Sequence, residues 1–401
     1  MNVLVTDGEN RSALAVTRSL GRRGCGVIVA GLKSGNISSC SRFCKRNFET
    51  PDPMTDGKKF TEHIADIVTR EKIDIIFPLT EQTIYQLNKV RDQLLQDVVL
   101  ACAPSEKMGV VSNKYKLFQL AQNVGVPIPG TIFVDGSEDF LVKESGISSF
   151  PVVVKPAFSR TPAGDGFITA GVMYAADRHE LRRLYESKPA LRYPSLIQEL
   201  IVGQGTGLFT LFDQDRHLVL FSHRRLLEKP PSGGVSVISE SIALDPEMVK
   251  SAEHLLSAVG WKGVAMVEFK RDVRDGKAKL MEINGRLWGS LQLAVSSGVD
   301  FPSLCLDYYL GRKPSSILND YTVGYRLKWF LGILDHLIIR LKKNGRLLNL
   351  PPESPTCWQV ARELVKSGRP DTSFDVYDPR DLKPFVSEIK SYIRDLIGLK
   401  A

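Results

Sequence analysis

The chain has 401 residues, and 53 Lys and Arg stand against 45 Asp and Glu for a formal charge of +8. The length exceeds one simple core and predicts two or three domains, while 43% apolar and 24% charged residues exclude wholesale disorder. The positive balance suits nucleic acid, a membrane surface or anionic small ligands such as phosphates.

Residues 1–108 alternate short apolar runs with helical patterns. Val3–Val5 reads as a strand and Ser12–Arg23 as a helix ended by Gly24. Val27–Ala30 reads as the next strand, Phe60–Arg70 as a helix and Ile73–Pro78 as a strand. This alternation predicts an α/β domain with a parallel sheet wrapped by helices. The first turn, Thr6-Asp7-Gly8-Glu9-Asn10, carries one glycine and no G-x-G-x-x-G, so no dinucleotide site is expected there. Near Ala103-Pro104-Ser105 the sequence turns linker-like. Asn113–Asn123 is a predicted helix with Leu117, Leu120 and Ala121 as its apolar stripe; Gly125 stops it, and Pro127 and Pro129 follow. From there to about residue 312, paired strands with glycine turns predict an α+β region with antiparallel sheets. Beyond 313, Tyr325–Lys343 reads as one helix carrying Arg326, Lys328, His336, Arg340, Lys342 and Lys343. Asp371–Asp381 reads as a polar loop and Leu382–Leu399 as a closing helix. There is no internal repeat and no low-complexity tract.

The most informative segment is Val264 to Asn284. Two apolar runs flank an Asp275-Gly276 turn, a strong hairpin signal. A turn centred near 275 sets Glu268 opposite Glu282. Asn284 lies on the same face as Glu282, because strand side chains alternate. Met266 and Leu280 are expected to share that face, with Val267, Phe269, Met281 and Ile283 on the other. Two opposed carboxylates on one face should repel. A divalent cation with hard oxygen ligands, shared with nucleotide phosphates, would hold them together; the plain alternative is two solvated glutamates.

Glu268 followed by Met281-Glu282-Ile283-Asn284-Gly285-Arg286 resembles the metal-binding end of ATP-grasp enzymes, an acid followed by E-x-N-x-R. Ser112-Asn113-Lys114 opening a helix, Val152-Val153-Val154-Lys155-Pro156 and Ile197-Gln198-Glu199-Leu200-Ile201 follow in the family's order. The resemblance covers about residues 104–312, and its closest look is to the carbamoyl-phosphate-synthetase-like and carboxylate–amine ligase branches. It implies a Rossmann-like pre-ATP-grasp α/β domain at 1–108, a small ATP-grasp subdomain at 109–190 and a large one at 191–312. A C-terminal, mainly helical extension then occupies 313–401. The implied cofactors are ATP and Mg²⁺, with Mn²⁺ as a substitute, and Glu268, Glu282 and Asn284 are the implied metal ligands.

Lys155 ends an apolar strand, where a cation reaches phosphate oxygens while its stem stays packed. Lys114, at a helix start, is a second phosphate candidate beside the plain reading of a surface lysine. The Ser159–Gly166 loop, with Gly164 and Gly166, reads as a hairpin turn or as a flap over phosphates, and the resemblance favours the flap. Glu199 to Ile201 resembles the hinge that binds adenine. Gln204 stands where the family usually has a ribose-binding acid, and its amide can still bond a hydroxyl. Arg286 would neutralise charge on a transferring phosphoryl group. Arg225, in the segment from His223 to Gly234 beyond the Leu218–Phe221 strand, is a second catalytic candidate near phosphate or substrate carboxylate.

The expected function is ATP-dependent ligation: a small-molecule carboxylate is activated as an acyl phosphate and joined to an amine or other nucleophile. The rivals are a kinase-like phosphotransferase and a non-catalytic ATP-binding module. Nucleic acid is not an expected partner, for want of zinc-finger spacing, an RNP-like motif or a basic recognition helix. Membrane-surface binding through 325–343 is a weaker reading than a helix packed on the body of the protein. A homo-oligomer stays open. The six cysteines form no framework of close pairs and read as free thiols. The N-terminus lacks the segments of a signal peptide. Trp329 to Leu341, broken by Asp335 and His336, is too short to span a bilayer. The expected location is cytoplasmic.

Overall fold

The computed structural model describes residues 1–94, 98–158, 160–163, 166–231, 233–342, 354–365 and 370–398. Five parallel strands form the first sheet, in the order Cys44–Glu49, Gly26–Gly31, Asn2–Val5, Ile75–Phe77 and Val99–Leu100. Helices Arg11–Arg22 and Gly57–Glu71 fall where the sequence places them. Cys44–Glu49 escapes sequence reading because it is an edge strand, partly exposed, with three charged residues in its six positions.

A second sheet is antiparallel, in the order Met173–Ala175, Val152–Pro156, Ser195–Glu199 and Thr131–Val134. Its last strand in sequence lies beyond residue 190. The helix Lys114–Asn123 starts where Asn113 Oδ1 accepts the Lys116 N–H at 3.1 Å. The glycine loop is a two-stranded hairpin, Arg160–Ala163 with Gly166–Thr169; Ser159 and Gly164 lie outside the described residues.

The third sheet has seven strands, in the order Ala278–Asn284, Lys262–Asp272, Gly203–Asp213, Arg216–Lys229, Val235–Ser241, Arg326–Lys328 and Thr372–Phe374. All neighbours are antiparallel except the last pair. Two C-terminal expectations change here. Tyr325–Lys343 is not one helix: Arg326–Lys328 pairs with Ile238–Glu240, and the helix Phe330–Lys342 follows. An open sheet edge competes with helix formation, and pairing wins because it seats both cations. Arg326 Nε donates to Glu240 at 2.7 Å, and Lys328 Nζ lies 2.7 Å from Glu363. Nor is Asp371–Asp381 only a loop, since Thr372–Phe374 is a strand and Asp375 and Asp381 are buried. The closing helix is Lys383–Ile397; Lys343 and Leu399 lie outside the described residues.

Both faces of the first sheet merge into the third sheet's core. Leu4, Ile28 and Ile76 join Val267, Phe269, Leu280 and Ile283 in one buried cluster. Val3, Val27 and Val29 join Phe209, Phe221 and Trp288 in another. The C-terminal part is fastened to the first helix. Arg18, 2% exposed, donates from Nε to Asp381 at 2.9 Å and from Nη2 to the Val376 carbonyl at 2.9 Å.

Candidate active site

Glu268 and Glu282 are direct cross-strand partners, as the turn arithmetic expects. The route to that pairing differs from the expectation. Beyond the turn, Lys270 pairs with Lys279 and Phe269 with Leu280, one residue out of step; a bulge between Glu268 and Phe269 then restores the register. The bulge also exchanges two side chains. Leu280 is fully buried in the core with Phe269 and Ile283, while Met281 lines the cavity of the acids. The sequence expectation had these two reversed. Gly285, next to Asn284, is required because a Cβ there would sit 2.4 Å from the Trp261 ring.

Asn284 Nδ2 donates to Glu268 at 3.1 Å and to Glu282 at 3.0 Å, so one amide ties the two carboxylates together. Arg225 Nη2 pairs with Glu268, and Arg225 Nη1 donates to Glu228 at 3.0 Å. Lys114 Nζ lies 3.9 Å from Glu282. The Lys114 N–H bonds the Ala157 carbonyl at 2.7 Å, which brings that helix start beside the end of the Lys155 strand. Arg286 Nη2 donates to Asn284 Oδ1 at 3.3 Å. These residues line a cavity of about 430 Å³ between the second and third sheets.

The two acids differ in their surroundings. The Glu268 side chain is 13% exposed and that of Glu282 is 37% exposed. Burial, aided by Glu282, pushes the Glu268 carboxyl up to about 7 against the pull of Arg225. Burial opposes ionisation of Glu282 too, yet Lys114, the Asn284 amide and Lys155 hold it below its ordinary range. Burial lowers the Lys155 ammonium to about 8; Glu282 opposes that shift, while Lys114 and Lys270 reinforce it. The site therefore holds more charge than it neutralises internally.

The chain crosses from the second sheet to the third through Glu199, Leu200 and Ile201, which line the cavity. The Glu199 carboxylate itself faces away, accepting from the Gly130 N–H at 2.9 Å and Arg274 Nη2 at 2.8 Å. Gln204 is not brought into this cavity. It is exposed, donates to the Arg225 carbonyl at 3.4 Å and lines a neighbouring cavity of about 630 Å³. Ser232 lies outside the described residues. Sequence reading missed Lys270, which shares the cavity and whose ammonium is lowered by burial. Alternation along 266, 268 and 270 was the available signal. It also missed Arg11, the first residue of the first helix, which no spacing pattern marks.

Among the described residues no group of three or more His, Cys, Asp and Glu gathers as a metal cluster, and no helix is long and apolar enough to cross a membrane. Comparison with known proteins agrees with the geometry. Residues 217–331 match the family model described as ATP-grasp in the biosynthetic pathway with Ter operon. A D-aspartate ligase of Enterococcus faecium is 23% identical over 216 residues, 50% of each chain. The chain thus spans about half the length of that relative. An L-amino acid ligase from Bacillus licheniformis superposes with a TM-score of 0.59 at 20% identity, over 78% of this chain and 74% of that one. A biotin carboxylase from Campylobacter jejuni superposes with a TM-score of 0.64 at 18% identity, over 79% and 72%. The chain shares the fold of these structures, and its segment 217–331, which carries the paired acids, matches an ATP-grasp family model.

Proposed function

We propose that the chain is an ATP-dependent carboxylate–amine ligase. The observation that carries this reading is the Glu268–Glu282 pair tied by Asn284, inside a cavity that also holds Lys155, Lys114, Arg225 and Arg286. Two carboxylates and one amide are too few for a closed metal cage. They suit Mg²⁺, which keeps its other positions for water and phosphate oxygens. Such an ion, when bound, would neutralise charge on the phosphates. It would also offset the burial, and the lesser repulsion from Glu282, that push the Glu268 carboxyl up to about 7.

The chain's own residues take the remaining roles. Lys155 and Lys114 bind phosphate oxygens. The main chain at Glu199 to Ile201 frames the base. Arg286, with Arg225 behind Glu268, stabilises the transferring phosphoryl group. A carboxylate oxygen of the substrate attacks the γ-phosphorus and ADP leaves. The amine then attacks the carbonyl carbon, phosphate leaves, and the amine's proton passes to solvent. Residues 1–108, 109–190, 191–312 and 313–401 are proposed as the pre-ATP-grasp, small, large and C-terminal units. The six free thiols suit a reducing, cytoplasmic setting.

The test is ADP release from Mg·ATP against a panel of amino acids and small acids paired with amines, with product identification. An amide product formed in step with ADP supports the reading. A stable phosphorylated product would assign a phosphotransferase instead, and ATP binding with no turnover on any pair would leave a binding module.

A further inference from the structure

Arg11 and Arg18 stand two turns apart on the same helix, and both are met by carboxylates of the C-terminal part, Asp375 and Asp381. Their surroundings differ. Arg18 is a finished contact: Nε is on Asp381, Nη1 on the Asp375 carbonyl, and Nη2 on the Val376 and Asp381 carbonyls. Arg11 is unfinished. Nη1 is paired with Asp375, and among the described residues Nη2 bonds the Ser236 carbonyl alone, at 3.4 Å. The guanidinium carbon lies 4.0 Å from the Trp329 ring centroid, so the group is laid on an indole face. Trp329 is fixed in turn by donating Nε1 to Glu388 at 2.8 Å.

Arg11 lines the nucleotide-site cavity and also a second cavity of about 420 Å³ on the far side of Glu282 and Arg286. That second cavity lies between the first sheet's turns and the paired acids, where Arg11, Lys114 and Arg286 face Glu81 and Glu282. Gly289, in the same wall, carries no side chain to cover Nη2. Guanidinium is a planar fork suited to carboxylate, and here its plane and one edge are fixed while the other edge faces the cavities.

We propose that Arg11 receives the anionic group of the acid to be activated, and that the C-terminal part serves here as its positioning element through Asp375 and Trp329. The identity of the anion rests on the ligase reading; the anion site at Arg11 does not. Placing the acid there sets its carboxylate beside Glu282 and Arg286, next to the phosphate end of the first cavity.

The probe is malonate, titrated into the full chain saturated with Mg·ADP and labelled with ¹⁵N at indole nitrogen. The chain has four tryptophans, and Trp329→Phe identifies the Trp329 signal. A saturable shift of that signal is expected in the native protein. Arg11→Lys, which keeps charge but loses the fork, and Asp375→Asn should each weaken malonate binding by about tenfold or more. Asp381→Asn breaks the other clasp and should leave affinity within about twofold. It is the control for a merely structural effect, and thermal melts of all three variants confirm folding. No saturable shift in the native protein, native affinity in Arg11→Lys, or equal losses in Asp375→Asn and Asp381→Asn would overturn the proposal. Malonate binding at Arg11 with no ADP-coupled ligation in the substrate panel would leave the anion site standing and remove only the ligase reading.

Discussion

Replacing Lys155 by Met should make the ligand-free protein more stable while removing its response to nucleotide. Lys155 is 8% exposed, and burial lowers its ammonium from 10.5 to about 8. The folded protein therefore disfavours the charged form that the unfolded chain carries freely. Since the folded value lies below the unfolded one, the penalty is fully present below pH 8 and fades as pH rises toward 10.5, where both states are neutral. The interval corresponds to about 3 kcal/mol at pH 7 and about 1 kcal/mol at pH 10. Lys155→Met deletes the charge and keeps a stem to pack against Phe118, whose ring centroid is 5.5 Å from Nζ. Urea unfolding of both proteins at pH 7 and pH 10 measures the gap, which should favour the variant and shrink at the higher pH. A non-hydrolysable ATP analogue with Mg²⁺, at about 100 times its Kd, should stabilise the native protein by about 2.7 kcal/mol and the variant hardly at all. A variant less stable at pH 7, a gap independent of pH, or an undiminished nucleotide effect would each refute the reasoning.

Glu282→Gln should abolish the metal-dependent part of nucleotide binding and cut ADP release by about 100-fold or more, measured by calorimetry with and without Mg²⁺. Arg225→Met leaves Glu268 buried without its cation; it should cost about 3 kcal/mol at pH 8. The loss should be smaller at pH 6, where the carboxyl, already near 7, takes a proton. Arg18→Met removes the cation from buried Asp381, leaving it the Ser41 hydroxyl and the Arg42 N–H, and should destabilise the chain by about 3 kcal/mol in denaturant unfolding, with nucleotide affinity unchanged. Sedimentation with anionic liposomes at low salt should show no binding through 325–343, because Arg326 and Lys328 are held by Glu240 and Glu363.

Much of the site was legible because it lies on one hairpin. Alternation and a strong turn bring Glu268, Glu282 and Asn284 together without any long-range information. The pairing came out right although the turn-proximal register runs one step off, because a bulge compensates. A bulge leaves no mark in a run such as Lys279-Leu280-Met281, so Leu280 and Met281 were assigned to each other's faces. Lys155 was legible as the end of an apolar strand. Arg11 was not, since its neighbours Trp329 and Asp375 are more than three hundred residues away. The strand Arg326–Lys328 was hidden for a related reason. Its cations look solvent-facing until the partner carboxylates Glu240 and Glu363 are brought beside them.

The charge excess can now be located more closely. The cations of 325–343 were the natural place to look for a basic surface, yet the structure satisfies several of them internally. Arg326 and Lys328 are in ion pairs, and Arg340 Nη1 is on the Pro355 carbonyl. His336, buried, donates from Nδ1 to the Glu228 carbonyl at 2.6 Å, and burial lowers its imidazole below the ordinary value. A basic face would need these groups in water, free to meet an anionic surface. The imbalance that matters lies instead around the paired acids. Lys114, Lys155, Lys270, Arg225, Arg286 and Arg11 converge there on few carboxylates. Two of those lysines are lowered by burial, Lys155 and Lys270. Buried like charges are costly unless opposite charge compensates them, and a bound polyanion would add to what Glu268, Glu228 and Glu282 supply. The site is therefore least stable empty and gains most from a polyanion accompanied by a divalent cation.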